Sequence, residues 1–172
     1  TDSAMIIDAM DILYSDKVDG FCIASSDSDF TRLATRIRET GLSVIGIGEK
    51  KTPSPFIAAC DKFIYLEILS GKSTEEEEGA TTKKTKEVET VDKITPKVIR
   101  LLTQTVNDLA DDDGWAFLGD VGSLIQKKQP NFDSRNYGFD KLTPMIKSTN
   151  KFEIDQRESQ KGRYKLIYVR CL

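Results

Sequence analysis

Residues 21–30 of the chain read FCIASSDSDF. The first four form a short apolar run bounded by polar residues, which is typical of a buried strand in a parallel sheet. The polar loop that follows holds two aspartates, Asp27 and Asp29, one residue apart. Because open α/β sheets bind ligands beyond the carboxyl ends of their strands, we expect this stretch to define both a fold and a candidate site.

The flanking residues alternate between helical and extended patterns. Apolar side chains at helical spacing predict helices, and short apolar runs predict buried strands. The predicted helices cover residues 2–14, 30–40 and 56–58, and the other predicted strands cover residues 43–48 and 63–66. This order indicates an α/β module with a parallel sheet. Since two or three strands do not complete a doubly wound domain, we expect the sheet to be truncated and its first strands to precede Thr1.

The 172 residues are expected to form two modules and a linker. Residues 71–92 contain four consecutive glutamates and almost no apolar side chains, so they cannot offset the entropy that is lost on ordering. We therefore interpret this segment as a flexible acidic linker between a first module, residues 1–70, and a second module, residues 93–172.

The second module has the pattern of a winged helix. Pro96 suits the first turn of a helix that carries a strong apolar stripe. Further helices are predicted around residues 121–125 and over residues 139–147, and alternating strands over residues 152–155 and 164–169. Three helices followed by a β-hairpin define a small α+β domain of the winged-helix type.

The composition limits the chemistry that the chain can perform. It contains no histidine, which excludes histidine-dependent nucleophiles and histidine metal sites. Hydrolysis would therefore depend on carboxylates, which prefer hard cations such as Mg²⁺. Three scattered cysteines favour a reducing cytoplasm. No apolar run approaches the roughly 18 residues of a membrane span, so no membrane partner is expected.

The charges are distributed unevenly along the chain. Residues 1–70 carry 7 basic and 11 acidic side chains, residues 71–92 carry 4 and 7, and residues 93–172 carry 14 and 10. Only the C-terminal end is therefore expected to attract a polyanion over long range.

The first candidate site consists of carboxylates. Asp27 and Asp29 are close enough to share a divalent cation, and the neighbouring serines can hydrogen-bond a carboxylate or a metal-bound water. Asp2 and Asp8, about two turns apart on one predicted helix, could supply further oxygens. The competing interpretation is that the loop aspartates only cap the helix that follows them.

The second candidate site combines basic and aromatic side chains. Arg135, Lys141 and Lys147 can contact phosphates, Tyr137 offers a flat face for stacking, and Gly138 allows close approach of the backbone. The competing interpretation is that Tyr137 braces a turn and that the lysines are ordinary surface residues. The predicted hairpin adds a basic wing made of Arg157, Lys161, Arg163 and Lys165.

Several motifs of the first module occur in a specific order. They are Asp2-x-x-Met5-x-x-Asp8-Ala9, the SSDSDF loop, the arginine-bearing helix that ends at Gly41, the strand VIGIG at 44–48, and ACDKF at 59–63. In this order they resemble the NYN family of PIN-like ribonucleases over about residues 1–66. The resemblance implies a PIN-like α/β fold and RNA cleavage with Mg²⁺ or Mn²⁺.

The NYN resemblance also implies roles for individual residues. Asp2, Asp27 and Asp29 would be catalytic and metal-binding, Asp8 would be a further metal ligand, and Asp61 matches a recurrent position that also suits a structural role. The family places another aspartate at the end of its first strand, which here would precede Thr1. We therefore expect this chain to be a weak or inactive nuclease. Its open sheet edge also predicts pairing with another chain, such as a homo-oligomer.

The second module carries a more specific motif. It includes a helix over residues 119–128, a Pro130-x-Phe132-Asp133 turn, and the sequence RNYGFDKL at 135–142. Together with the strand FEI at 152–154, these resemble the OST-HTH/LOTUS domain over nearly all of residues 93–172. The resemblance implies a winged-helix module that binds RNA and, in some members, a protein partner. From their chemistry we expect the RNA contacts to be made by Arg135, Tyr137, Gly138, Lys141, Lys147, Arg163 and Lys165.

Together the resemblances imply an RNA-binding protein with a metal-dependent ribonuclease module that a LOTUS domain delivers to single-stranded or structured RNA. A flexible linker would raise the local concentration of RNA near the acidic site. Two alternatives stay open. The protein is a non-catalytic RNA- or protein-binding adaptor whose PIN-like half is a scaffold, or its winged helix binds duplex DNA.

Overall fold

The computed structural model describes residues 2–15, 17–70, 92–158 and 165–172. The predicted linker and the residues at 159–164, including Lys161 and Arg163, lie outside the described residues. In the first module, helices and strands alternate in the following order: α1 (Asp2–Leu13), β1 (Gly20–Ala24), α2 (Thr31–Glu39), β2 (Ser43–Gly48), α3 (Ser54–Ala59), β3 (Lys62–Tyr65) and α4 (Leu66–Ser70).

The three strands of this module form a parallel sheet in the order β1-β2-β3. Phe21 pairs with Val44, and Gly46 pairs with Phe63. Each strand is separated from the next by a helix, as parallel crossovers require. The prediction of an α/β module with a parallel sheet is therefore confirmed. The short helix α4 was not predicted from the sequence.

One face of this sheet is buried under helices and the other is open. Ile23, Val44 and Phe63 point into a core that also contains side chains of α1, α2 and α3. Strand residues alternate between the two faces, so the neighbours of these residues point the other way. Of those neighbours, Cys22 is exposed and Ile45 keeps 38% of its surface accessible.

Two glycines of β2 make room for the ring of Phe63. A Cβ atom on Gly46 would lie 2.5 Å from Phe63 Cδ2 and 2.7 Å from Cys60 Sγ. A Cβ atom on Gly48 would lie 3.0 Å from Phe63 Cζ and 2.5 Å from the carbonyl oxygen of Ser25. The ring therefore crosses β2 directly over its backbone, which only a strand without side chains at these positions permits.

The second module is built from three helices and an antiparallel sheet. Its elements are α5 (Pro96–Leu109), β4 (Ala116–Phe117), α6 (Leu118–Lys128), α7 (Leu142–Ser148), β5 (Phe152–Glu158) and β6 (Lys165–Cys171). The sheet has the order β4-β6-β5. Its inner face packs with all three helices around a core that includes Leu102, Ile125, Met145 and Val169, each fully buried. The predicted α+β winged-helix architecture is confirmed.

The third helix of this module begins three residues later than predicted. A 3-10 turn covers residues 134–137 and ends at Gly138. Gly138 adopts the left-handed conformation, with φ of 81°. Residues 139–141 are not helical, and Lys141 is extended with φ of −140° and ψ of 155°. The helix can therefore begin only at Leu142. Phe139, predicted as helical, lies in the connection and packs against the core.

The two modules touch at the free edge of β3. The backbone N–H of Phe63 donates to the carbonyl oxygen of Pro130 at 2.8 Å. The side-chain amide of Asn131 donates to the hydroxyl of Tyr65 at 2.7 Å. The turn that carries the LOTUS-like motif is therefore seated against the outermost strand of the first module.

None of the helices in the described part of the chain has the length and apolar character needed to cross a bilayer.

Candidate functional site

The SSDSDF loop leaves the carboxyl end of β1 and is held by its own polar groups. The backbone N–H of Ser25 donates to Ile47 O at 2.9 Å, which extends the pairing with β2. The N–H of Asp27 donates to Ser25 Oγ at 3.1 Å, and the N–H of Asp29 donates to Asp27 Oδ1 at 3.0 Å. Asp27 thus caps the short 3-10 turn that leads into α2.

Both loop carboxylates are exposed, whereas the next residue, Phe30, is buried in the core. Phe30 therefore anchors the loop and keeps Asp27 and Asp29 at the sheet edge. A cavity of about 370 Å³ adjoins the loop and is lined by Ser25, Ser26 and Lys51 among others. The structure thus places a polar, accessible surface at the carboxyl ends of β1 and β2, where ligand sites of open α/β sheets occur.

The four predicted metal ligands do not form one group. Asp2 and Asp8 are exposed on α1. No three acidic, cysteine or histidine side chains within residues 2–15, 17–70, 92–158 and 165–172 come close enough to hold a metal ion together. The described residues therefore do not form a complete divalent-cation site.

Asp61 has a structural role in the sheet. Its Oδ2 accepts from the backbone N–H of Val44 at 2.8 Å, and its Oδ1 pairs with Arg38 Nε at 2.9 Å. Val44 is fully buried, so its N–H would lose its partner if the carboxylate were removed. Asp61 therefore connects β2 to the segment before β3.

We expect Asp61→Ala to destabilise the first module by about 1–2 kcal/mol, because a buried donor would lose its acceptor. Asp61→Asn keeps an oxygen for Val44 and loses only an ion pair that is over 40% exposed, so it should cost less than about 0.5 kcal/mol. Chemical unfolding followed by circular dichroism measures both. Equal losses from the two variants would show that the Arg38 pair, and not the Val44 bond, is the important contact.

Arg135, the first predicted RNA-binding residue, is engaged within its own turn. Its Nε and Nη2 donate to the two carboxylate oxygens of Asp133 at 2.9 and 2.7 Å, and its backbone N–H donates to the same side chain. Burial acts to raise the pKa of Asp133, but the hydrogen bonds from Arg135 outweigh it and hold the pKa below its ordinary value of 3.8. This pair therefore stiffens the turn.

The Asp133–Arg135 pair is expected to make stability depend on pH. A carboxyl with a lowered folded-state pKa stabilises the fold above its unfolded pKa and loses that contribution as pH falls through the folded value. Arg135→Ala should therefore destabilise the second module at pH 5–7, and its difference from the unmodified protein should shrink below about pH 4. Unfolding monitored by the fluorescence of Trp115 measures this difference. A difference that is constant from pH 7 to pH 2 would contradict the assignment.

The other predicted RNA-binding residues differ in how far they are buried. Tyr137 is half-buried, its ring lies 5.9 Å from that of Phe132, and burial raises the pKa of its hydroxyl. Gly138, Lys141, Lys147 and Lys165 are exposed. The structure brings Tyr137 into the turn and leaves the three lysines on the surface, and the RNA contacts of all these residues stay predictions.

The outer face of the second module carries three aromatic side chains that sequence reasoning missed, beside Arg157 of the predicted wing. Trp115, Phe117 and Tyr168 lie together with Arg157 and Arg170. The available signal in the sequence was the alternation of large and small side chains in Trp115-Ala116-Phe117. In the structure Ala116 is buried and its two aromatic neighbours are not.

Family models identify both modules. One describes an NYN domain and matches residues 1–67, and the other describes an OST-HTH/LOTUS domain and matches residues 89–164. The chain therefore carries an NYN domain followed by an OST-HTH/LOTUS domain, as the sequence motifs predicted. These domains define it as an RNA-related protein of the nuclease or RNA-binding class.

Two solved structures match part of the chain. One is the solution NMR structure of an uncharacterized protein of Nitrosomonas europaea, with 29% identity, coverage of 57% of this chain and 91% of that one, and a TM-score of 0.42. The other is the solution NMR structure of a Chromobacterium violaceum protein segment, with 29% identity, coverage of 48% and 86%, and a TM-score of 0.36. No curated protein matches the chain.

Proposed function

We propose that this is an RNA-binding protein in which the LOTUS domain holds RNA and the NYN domain is a metal-dependent endoribonuclease domain. The observation that carries the proposal is the presence of both domains in one chain. A nuclease domain and an RNA-binding domain that are joined act on the same RNA molecule, because binding by one raises the local concentration seen by the other. We place the domains at residues 1–70 and 93–172.

The proposed catalytic residues are Asp27, Asp29 and Asp2, with Asp8 as a further ligand of Mg²⁺ or Mn²⁺. Support for Asp27 and Asp29 comes from their exposure at the carboxyl end of β1. Hard cations prefer carboxylate oxygens, and a bound ion would supply charge stabilisation at the phosphodiester. Since the described residues offer only a partial ligand set, we expect weak cleavage by these 172 residues.

The proposed RNA contacts of the LOTUS domain are phosphate contacts by Lys141, Lys147 and Lys165, all exposed. Phosphate contacts release counterions, so the affinity for RNA should fall as salt rises. We also propose a cytoplasmic location, which suits the free cysteines Cys22, Cys60 and Cys171. We further propose that the LOTUS domain binds a protein partner. We also propose a homo-oligomer that forms through the open edge of the NYN sheet.

The test measures binding and cleavage in the same samples. The 172-residue protein is titrated into labelled single-stranded RNA, structured RNA and duplex DNA over a salt series, and the RNA is then incubated with Mg²⁺, Mn²⁺ or a chelator. We expect RNA to be preferred over duplex DNA and any cleavage to stop in the chelator. A preference for duplex DNA at matched salt would instead support a DNA-binding winged helix.

A second candidate function is that of a non-catalytic adaptor that binds RNA or protein and uses its NYN domain as a scaffold. It is favoured by the partial ligand set of the described residues and by the structural role of Asp61. RNA binding without cleavage in either metal would support it. Cleavage that survives purification of the protein to constant specific activity and requires the metal would exclude it.

A further inference from the structure

The outer face of the LOTUS sheet is unusually aromatic. Phe117 of β4 pairs directly with Tyr168 of β6, so the two side chains point to the same side of the sheet. Because Ala116 and Val169 are buried on the inner side, Phe117 and Tyr168 must point outward. Trp115 precedes Ala116 and lies on the same outer side as Phe117.

These aromatic rings do not contribute to the core. Trp115, Phe117 and Tyr168 belong neither to the buried cluster of the domain nor to the half-buried side chains packed against it, among the residues that the structure describes. An outward sheet face that meets water normally carries polar side chains. The three rings are partly buried, and large rings on such a face call for a ligand or a packing explanation.

In the structure, two arginines cover the rings. The guanidinium carbon of Arg157 lies 4.3 Å from the centroid of the Tyr168 ring and 5.3 Å from that of Trp115. The guanidinium carbon of Arg170 lies 4.7 Å from the Trp115 ring. The rings of Phe117 and Tyr168 are 5.8 Å apart. Cation–π contacts at exposed sites are weak, so the guanidinium groups can leave the rings at little cost.

Each arginine of this face is paired with a carboxylate. Arg157 pairs with Asp155 at 2.9 Å, and Arg170 pairs with Glu153 at 2.5 Å. Each of these side chains is at least 40% exposed, and exposed pairs of this kind contribute little to stability. Among the residues that the structure describes, both arginines of this face are engaged by carboxylates, so the face attracts a polyanion only weakly and its ligand must be recognised through the rings themselves.

We propose that this outer face, formed by Trp115, Phe117, Tyr168, Arg157 and Arg170, binds unpaired nucleobases of single-stranded RNA. The inference rests on the proposed RNA-binding function and names the surface that performs it. A base replaces a guanidinium on the ring of Trp115 or Tyr168, and the released arginine can contact a neighbouring phosphate. Duplexes are excluded, because their bases are already stacked and their faces are inaccessible.

The single tryptophan of the chain makes a direct test possible. A base that stacks on Trp115 changes its emission, so the 172-residue protein is titrated with an unstructured 12-nucleotide RNA while tryptophan fluorescence is followed. Anisotropy of a labelled copy of the same RNA reports binding at any surface. We expect saturable quenching with the same midpoint as the anisotropy change, and no such quenching with duplex RNA.

Tyr168→Leu keeps an apolar side chain on the face and removes one ring. Because a stacked base is lost, we expect the dissociation constant to rise about tenfold. The factor should be the same at low and high salt, since no charge is removed. The matched control is Tyr14→Leu, which removes an exposed tyrosine of the NYN domain and should leave the affinity within about twofold.

The outcomes separate the two proposals. RNA binding by anisotropy with unchanged tryptophan emission and an unaffected Tyr168→Leu variant would overturn the outer-face assignment and leave the RNA-binding function standing. Absence of binding in both readouts would overturn both proposals. The quenching experiment uses the unmodified protein, so its outcome does not depend on whether the Tyr168→Leu variant folds.

Discussion

Replacing both loop aspartates, Asp27→Asn together with Asp29→Asn, is expected to lower metal-dependent RNA cleavage at least about 100-fold. Loss of an outer-shell partner of a metal already costs about 10–100-fold, so loss of two charged ligands should cost more. The fold should survive, because both side chains are exposed and the amide oxygen introduced at position 27 can still accept from the backbone N–H of residue 29. Cleavage of labelled RNA in Mn²⁺ measures the effect.

The matched control is Asp11→Asn, which removes an exposed carboxylate of α1 that has no predicted role. It should retain full cleavage. RNA affinity should change less than about twofold in the double variant, since a delivery domain and a cleavage domain contribute separately. Retention of metal-dependent cleavage in the double variant would remove Asp27 and Asp29 from the catalytic site. Asp2→Asn and Asp8→Asn, made singly, then test the contributions of α1.

Phe63→Ala is expected to cost about 3–5 kcal/mol of folding free energy, the usual loss for a buried phenylalanine. Its ring is 1% exposed and makes edge-to-face contacts with Phe56 and Tyr65, with centroids 6.0 and 5.5 Å away. The groove over Gly46 and Gly48 has no side chain to collapse into the space. A loss of this size is comparable to the stability of a whole small domain.

Two spectroscopic signals separate the domains in this experiment. The only tryptophan lies in the LOTUS domain, so its fluorescence reports that domain, whereas circular dichroism reports both. Phe63→Ala should remove the NYN contribution to the dichroism and leave the fluorescence transition in place. Tyr14→Ala, at a side chain that is 66% exposed, should cost less than about 1 kcal/mol. A loss below that value from Phe63→Ala would show that the groove can repack.

Periodicity was sufficient for most of the fold. The apolar runs of β1 and β2 and the stripe of α5 depend on local sequence, and their predicted positions agree closely with the structure. The delayed start of α7 depends on the left-handed conformation of Gly138, which hydrophobic spacing does not report. Helix α4 is short and follows a strand directly, so it offers too few residues for a period to be recognised.

The candidate sites were less predictable, because a residue type does not reveal its partner. Arg135 has the right chemistry for a phosphate, yet Asp133, two residues away, occupies its guanidinium group. Tyr137 has a stacking ring that is half-buried beside Phe132. Composition and spacing predict neither the contact of Arg135 with Asp133 nor that of Tyr137 with Phe132. Both contacts depend on the conformation of the turn.

The aromatic outer face illustrates the opposite difficulty. Trp115 and Tyr168 are 53 positions apart in the sequence, and both lie under Arg157 only because β4 pairs with β6. A two-residue strand such as β4 gives almost no periodic signal. The order of the strands decides which side chains share a face of the sheet. That order cannot be derived from the sequence of any single strand.

The contact between Phe63 and Pro130 has a consequence for how the sheet ends. An edge strand with free N–H and C=O groups is a template on which further chains can add. Pro130 supplies a carbonyl oxygen to the N–H of Phe63, but a proline has no N–H to return to the strand. The turn therefore takes up one donor of β3 but returns no N–H from Pro130, so at this position it meets the edge of the sheet without continuing it as a fourth strand.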